Sequence, residues 1–184
     1  MIAYVFWHWR KPDVTAAVYE TRQRDFHGAL SSSTPVGFIT SFSVSLAGAP
    51  WANNGGETYE DWYLVNDFAA LDALNQGAVS GSRVAPHDAA ASVAGGGVAG
   101  IYALRSATKL TAPGQALWFT KPAGMSYAEL LDRLAPVVER EGGALWMRQM
   151  TLGPAREFCI HGSKLISLPS PFEALGLQLY SVWP

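Results

Sequence analysis

The chain has 184 residues, of which 49% are hydrophobic, ample for a large core in one domain or in two small units that share one. Thirteen Lys and Arg against fifteen Asp and Glu give a net charge of −2 with no basic stripe, so the electrostatic footprint of a nucleic-acid binder is missing. A lone cysteine, Cys159, excludes an intrachain disulfide, and no apolar run approaches the ~20 residues of a membrane span.

The charged fraction of 15% is low, as expected where surface is buried against a second copy, so a homodimer is expected. The opening MIAYVFWHW carries neither a basic n-region nor a small-residue cleavage site, and the expected location is the cytoplasm. Cys159 sits in the apolar run Phe158-Cys159-Ile160 and reads as a buried, inert thiol.

Residues 2–9 are β-branched and aromatic and end at Lys11-Pro12, which predicts a strand. Asp13 offers a cap for a helix to residue 30, with Val14, Ala17, Val18, Phe26 and Leu30 on its buried stripe. Residues 37–47 alternate, with Phe38, Thr40, Phe42, Val44 and Leu46 on one face and Ile39, Ser41, Ser43 and Ser45 on the other. The Gly-, Pro- and Asn-rich segment after them is longer than a hairpin turn and reads as a flap leading to a strand at 58–66. Asp67 caps a helix at 68–79, a short helix starts at Pro86 and stops at Gly95-Gly96-Gly97, and a strand at 98–105 closes a β-α-β-β-α-β unit.

Residues 106–114 are polar and breaker-rich and read as a linker, after which the order begins again. A strand at 115–120 is followed by Lys121-Pro122, echoing Lys11-Pro12. Ser126 and Glu129 form a capping box for a helix to residue 141, in whose body Pro136 predicts a kink. Two strands at 144–152 and 156–161, a helical piece near 171–175 and a strand at 177–183 complete the second unit. An antiparallel sheet with helices on one face leaves the other uncovered. Tyr4, Phe6, Trp62, Trp118, Trp146 and Tyr180 are too apolar to leave in water, so the two sheets are expected to pack together around a barrel-like interior. The fold class is therefore α+β: two tandem ferredoxin-like repeats, 1–105 and 115–184, packed sheet to sheet as an α/β barrel.

This order of elements resembles the dimeric α/β-barrel superfamily in its tandem, single-chain form. In the first repeat, Tyr19-Glu20 and Phe26-His27-Gly28-Ala29-Leu30 resemble the Tyr … His-Gly-x-Leu helix ending of EthD-like barrels, and His87-Asp88-Ala89 is similar to the Asp-bearing segment before their last strand. The second repeat matches only in element order. The resemblance implies a range of activities, among them cofactor-free oxygenases, isomerases, haem proteins and ligand binders, so fold does not set function. Chlorite-dismutase-like members place an iron-ligating histidine on a helix of the second repeat. Here that helix reads SYAELLDRLAPVVERE and has no histidine.

The first strand puts Tyr4, Phe6, His8 and Arg10 on one face, a mix of apolar and hydrogen-bonding tips that suits a pocket wall. Ser41 and Ser43 fit either the same interior or a solvent-facing edge, and Asp61 and Tyr63 add a carboxylate and a phenol on one strand face. His27 ends the first helix, where it serves either as a general base at the pocket mouth or as a partner of the helix dipole. The candidate catalytic residues are thus His27, His8 and Tyr63. The candidate ligand-binding residues are Tyr4, Phe6, Ser41, Ser43, Asp61, Trp118, Trp146 and Arg148, with most polar groups coming from the first repeat. His87 and His161 read as surface groups. No HxH, HxxxH or CxxC pair occurs, so neither a metal site nor a cofactor is expected.

The reading is a small-molecule-binding α/β-barrel protein with its pocket between the repeats. Within it stand a cofactor-independent monooxygenase or isomerase acting on an apolar or aromatic compound, a non-catalytic ligand-binding or interaction module, and, third, a haem protein using His8, His27 or His161.

Overall fold

The computed structural model describes residues 1–110, 113–164 and 166–184. In chain order the elements are β1 (Ile2–Arg10), α1 (Ala16–Ser32), β2 (Phe38–Leu46), β3 (Thr58–Val65), α2 (Phe68–Ala78), α3 (Val84–Val93) and β4 (Ala94–Ala107). There follow β5 (Gln115–Phe119), α4 (Tyr127–Glu141), β6 (Ala144–Arg148), β7 (Phe158–Gly162), β8 (Ala174–Gln178) and β9 (Tyr180–Trp183). The result is a mixed α+β fold on a large antiparallel sheet. Among the described residues no helix is long and apolar enough to cross a membrane.

The helix starts follow from side-chain caps. Asp67 accepts from the Ala70 N–H at 2.9 Å and Ser126 from the Glu129 N–H at 3.1 Å, as their positions predict. The first helix is capped by Thr15 rather than Asp13, because the Thr15 hydroxyl reaches the Val18 N–H. Gly142, at φ 65°, ends α4 in the left-handed conformation that glycine adopts without steric cost.

Three expected boundaries move. The Gly95-Gly96-Gly97 run is not a helix stop but lies inside β4, paired with the end of β1: Trp9 faces Gly96 and His8 faces Gly97. A side chain at Gly96 would stand 2.6 Å from the Trp9 ring, and one at Gly97 would strike Phe6. The glycines therefore let two aromatic side chains lie flat across the sheet. Near 171–175 the chain forms a turn and then β8, not a helix. The linker expected at 106–114 begins inside β4, and its positions 111 and 112 lie outside the described residues.

Among the described residues the strands form one nine-stranded sheet, in the order β8-β5-β7-β6-β4-β1-β3-β2-β9. The first four strands stand as β4-β1-β3-β2 and the next four as β8-β5-β7-β6, so β1 and β5 hold the same place. The two halves join through β4 and β6, and β9 continues β8 after Leu179 to pair with β2.

One face of β1–β4 is covered by α1, α2 and α3, and one face of β5–β8 by α4 through Leu130, Leu134, Val137 and Val138. The opposite face of both halves forms a single core, with Trp7 and Trp62 from the first and Trp118 and Trp146 from the second. Trp62 lies 5.1 Å from Trp146 and Trp7 lies 5.5 Å from Trp118, centroid to centroid. Tyr4 and Phe6 are not part of it; they face the helices, and Tyr180 is exposed.

Inside this core lies a fully buried carboxyl group, Glu60, whose two oxygens accept one indole N–H each, from Trp7 and Trp62. Burial pushes its pKa up to about 7, although the two indoles pull it down. A carboxyl raised in this way stays protonated in the fold where the unfolded chain has already lost the proton. Its contribution to stability is therefore whole below the ordinary value of 4.5 and is lost as pH rises through about 7. The loss is about 3 kcal/mol by linkage. Chemical denaturation at several pH values is expected to show this slope in the native sequence and to lack it in Glu60→Gln.

Candidate functional site

The β1–β3–β2 ladder sets the site. Register pairs Tyr4 with Tyr63, Phe6 with Asp61 and His8 with Tyr59, and brings Ser41 beside Tyr63 and Ser43 beside Asp61, all on the helix-covered face. Asp61 is thus a diagonal neighbour of His8, within reach of its ring. Helix α1 supplies the other wall, because Tyr19, Gln23 and His27 recur at i, i+4 and i+8 and are all buried.

Asp61 is the centre. Its Oδ2 lies 3.1 Å from Nε2 of His8 and 3.3 Å from Nε2 of His27, at ion-pair distance though off the line of a hydrogen bond. The same oxygen accepts the Tyr63 hydroxyl at 2.8 Å. The outer nitrogens are also engaged: Nδ1 of His8 lies 2.6 Å from the Tyr19 hydroxyl and Nδ1 of His27 lies 2.7 Å from Ser41 Oγ. With a carboxylate beside each Nε2 the imidazole protons sit there, and each Nδ1 accepts from its hydroxyl partner.

Burial alone would raise the Asp61 carboxyl, but His8 and His27 together hold it well below the usual carboxylate range. Burial, and then the charge of Asp61, push the Tyr63 phenol well above its ordinary value, so Tyr63 is a fixed donor rather than a base. Tyr19 is raised by the same two causes in the same order.

A cavity of about 660 Å³ opens between this sheet face and the helices, entirely within the first half of the chain. It does not lie between the two halves, because tryptophans fill that space. Its floor is Tyr4, Phe6, His8, Asp61, Tyr63 and Ile101. Its α1 wall is Tyr19, Gln23, Phe26 and Leu30, and α2 and α3 close it through Phe68, Leu71, Asp72, Asn75 and His87, among others. His87, expected at the surface, lines the cavity with its side chain one-third exposed and Nδ1 3.0 Å from Asp88.

The structure brings together Tyr4, Phe6, His8, His27, Ser41, Asp61 and Tyr63, but not all of them at the cavity. His27 is fully buried behind Asp61 and does not line it, and Ser41 is its partner there. Ser43 is buried, away from the cavity wall. Trp118 and Trp146 belong to the tryptophan core, and Arg148 lies at a different surface. Arg10 pairs with Glu57 at 2.8 Å.

His161 is buried against Trp62, 4.3 Å between ring centroids, and burial depresses it to about 3. Neither it nor His27 presents a nitrogen to the cavity, and both nitrogens of His8 are engaged, so none of the three fits the axial ligand of a haem. Among the described residues no group of three His, Cys, Asp or Glu could hold a metal ion. Cys159 is fully buried, and burial pushes its thiol well up.

Tyr19, quoted in the sequence only for the helix resemblance, and Gln23 were not assigned to the site, although their i, i+4 spacing with His27 was there to be read; Glu60, whose partners come from two strands, was missed.

No protein-family model and no curated protein matches the sequence. Solved structures do. A protein of Fusobacterium nucleatum subsp. nucleatum, provisionally assigned as a monooxygenase, superposes with a TM-score of 0.67 at 12% identity, covering 98% of this chain and 92% of that one. One from Lactobacillus acidophilus, with the same provisional assignment, superposes at 0.51 and 7% identity over 99% and 96%. A protein provisionally assigned as a chlorite dismutase gives 0.48 at 11% identity over 98% and 95%. At these identities the first two likenesses establish the fold.

Proposed function

We propose that the chain is an acid–base enzyme that takes a proton from an apolar small molecule held in the 660 Å³ cavity. The observation that carries this is the His8–Asp61 pair at 3.1 Å, buried in the wall of an apolar cavity. His8 is the base. A proton leaving the ligand passes to the Tyr19 oxygen as Tyr19 gives its own to Nδ1 of His8, and Asp61 stabilises the imidazolium that forms. His27 and Tyr63 are positioning residues that hold Asp61 ionised and oriented. An isomerase returns the proton at a second carbon. A cofactor-independent monooxygenase instead lets the ligand anion react with dioxygen, a reading in keeping with the provisional assignment of the Fusobacterium and Lactobacillus proteins.

The second reading, a non-catalytic ligand-binding module, is favoured by one fact: both nitrogens of His8 already have partners. Proton–deuteron exchange at the acidic carbon of 2-tetralone, an apolar fused-ring ketone, separates the two. Saturable exchange by the protein in heavy water supports the enzyme; binding in the cavity without exchange supports the module.

The recurring strand order supports tandem ferredoxin-like repeats at 1–105 and 115–184 with a linker between them, and the Tyr19 … His27-Gly28-Ala29-Leu30 helix is the support for an EthD-like first repeat. The pairing of β9 with β2 supports closure of the sheet into a barrel. The low charged fraction of 15% supports association as a homodimer, which light scattering at high micromolar concentration is expected to report, against a monomer mass if this is wrong.

A further inference from the structure

A second cavity, of about 480 Å³, lies where the loop between β2 and β3 meets the ends of β5, β6 and β7. Its wall includes Trp51, Thr120, Arg148, Arg156 and Glu157. Two arginines converge on it. Among the described residues neither lies within ion-pair distance of a carboxylate, whereas Arg10, Arg24, Arg133 and Arg140 all have one at 2.8 Å.

Each guanidinium is held instead by backbone carbonyls. Nη1 of Arg148 donates to Ala155 at 2.5 Å and to Gly153 at 3.3 Å, and Nη1 of Arg156 donates to the Trp118 carbonyl at 3.1 Å. Such bonds orient the forks without neutralising them. Nε of Arg148 and Nε1 of Trp51 are both buried and have no hydrogen-bond partner among the described residues, a cost that a native fold normally avoids unless something supplies the acceptor.

Glu157 does not supply it. Its Oε1 accepts the Tyr127 hydroxyl at 2.6 Å and its Oε2 faces the Lys121 N–H at 3.4 Å. Two arginines and one glutamate leave the lining at net +1, which matches a monoanion rather than a dianion. Two fixed guanidinium forks suit the two oxygens of a carboxylate, and Trp51, packed edge-on to Trp7 and Trp118, offers an indole for a flat apolar group.

We propose that this cavity is a binding site for a small monocarboxylate carrying a flat apolar ring, held by Arg148 and Arg156 against Trp51. It is separate from the His8–Asp61 cavity and does not depend on the activity proposed there.

Benzoate is the probe, titrated into the full chain by calorimetry and saturation-transfer NMR, with benzamide as its neutral isostere and inorganic phosphate as the compact anion. Benzoate should bind saturably, benzamide should not bind, and phosphate should displace benzoate poorly. Arg156→Met should weaken benzoate roughly ten- to hundredfold, the usual weight of a hydrogen bond to a charged group. Arg148→Met removes bonds to the 153–155 backbone as well, so Arg156→Met and Trp51→Leu carry the test if that variant does not fold. His8→Gln should leave benzoate binding unchanged. The site is refuted by benzoate binding that survives both Arg156→Met and Trp51→Leu or that is lost in His8→Gln. It is equally refuted by phosphate competing at equal affinity, or by no binding at tens of millimolar.

Discussion

Replacing His8 with glutamine is expected to slow exchange at the acidic carbon of 2-tetralone by roughly 10²–10⁴-fold while its binding changes little. Glutamine keeps much of the volume of the ring and can still meet the Tyr19 hydroxyl, but it cannot take up a proton. The cavity wall stays intact, so the loss falls on turnover and not on the half-saturating concentration. His27→Gln should behave differently. His27 lies behind Asp61 and off the cavity wall, so the base survives and only the imidazole that faces Asp61 from the other side is lost. A smaller fall in rate is expected, with the acid limb of the pH–rate profile displaced. Equal losses from the two substitutions would show that His8 is not the reacting group.

Asp61→Ala is expected to lower stability by about 3–5 kcal/mol, the cost of removing one partner from a buried ionic cluster. Three groups lose their common acceptor at once: the two Nε2 positions and the Tyr63 hydroxyl. The same residue sets an acid limit. Its folded pKa is depressed, so its contribution is present above the unfolded value of ~3.9 and is lost as pH falls from there towards the folded value. Urea denaturation at neutral pH measures the first effect, and an acid titration of wild type against the variant measures the second. A stability within 1 kcal/mol of wild type, roughly the weight of an exposed pair, would mean that the cluster does not hold the fold.

Much of this was legible. Period-two alternation in β1, β2 and β3 put His8, Ser41, Asp61 and Tyr63 on definite faces, and the caps at Asp67 and Ser126 stood where their side chains required. What alternation could not show is which face meets the helices. Trp62 and Tyr63 are neighbours of similar apolarity, and only tertiary packing sends one into the shared core and the other towards α1. For the same reason the pocket was expected among the tryptophans instead of under the helices. The glycine run misled because a strand that must accept Phe6 and Trp9 across its neighbour needs the same small residues as a helix terminus. The role of His27 depended on depth: a helix-end histidine reads alike whether it reaches the cavity or stops one layer behind it.

The pairing of β9 has a consequence for how the chain is made. Strand β9 hydrogen-bonds to β2, and its Trp183 lies opposite Ser43. During synthesis β2 can pair with β3 as soon as both have emerged, but its other edge has no mate until β9, more than a hundred residues later, has emerged as well. That edge carries Val44 and Leu46, both core side chains, so the nascent first half waits with an open, apolar strand edge. Closing the ladder across most of the chain is a contact of long sequence separation, which is slow to form. Emergence of β9, more than collapse of either half, therefore sets when this strand edge becomes safe from pairing with its neighbours.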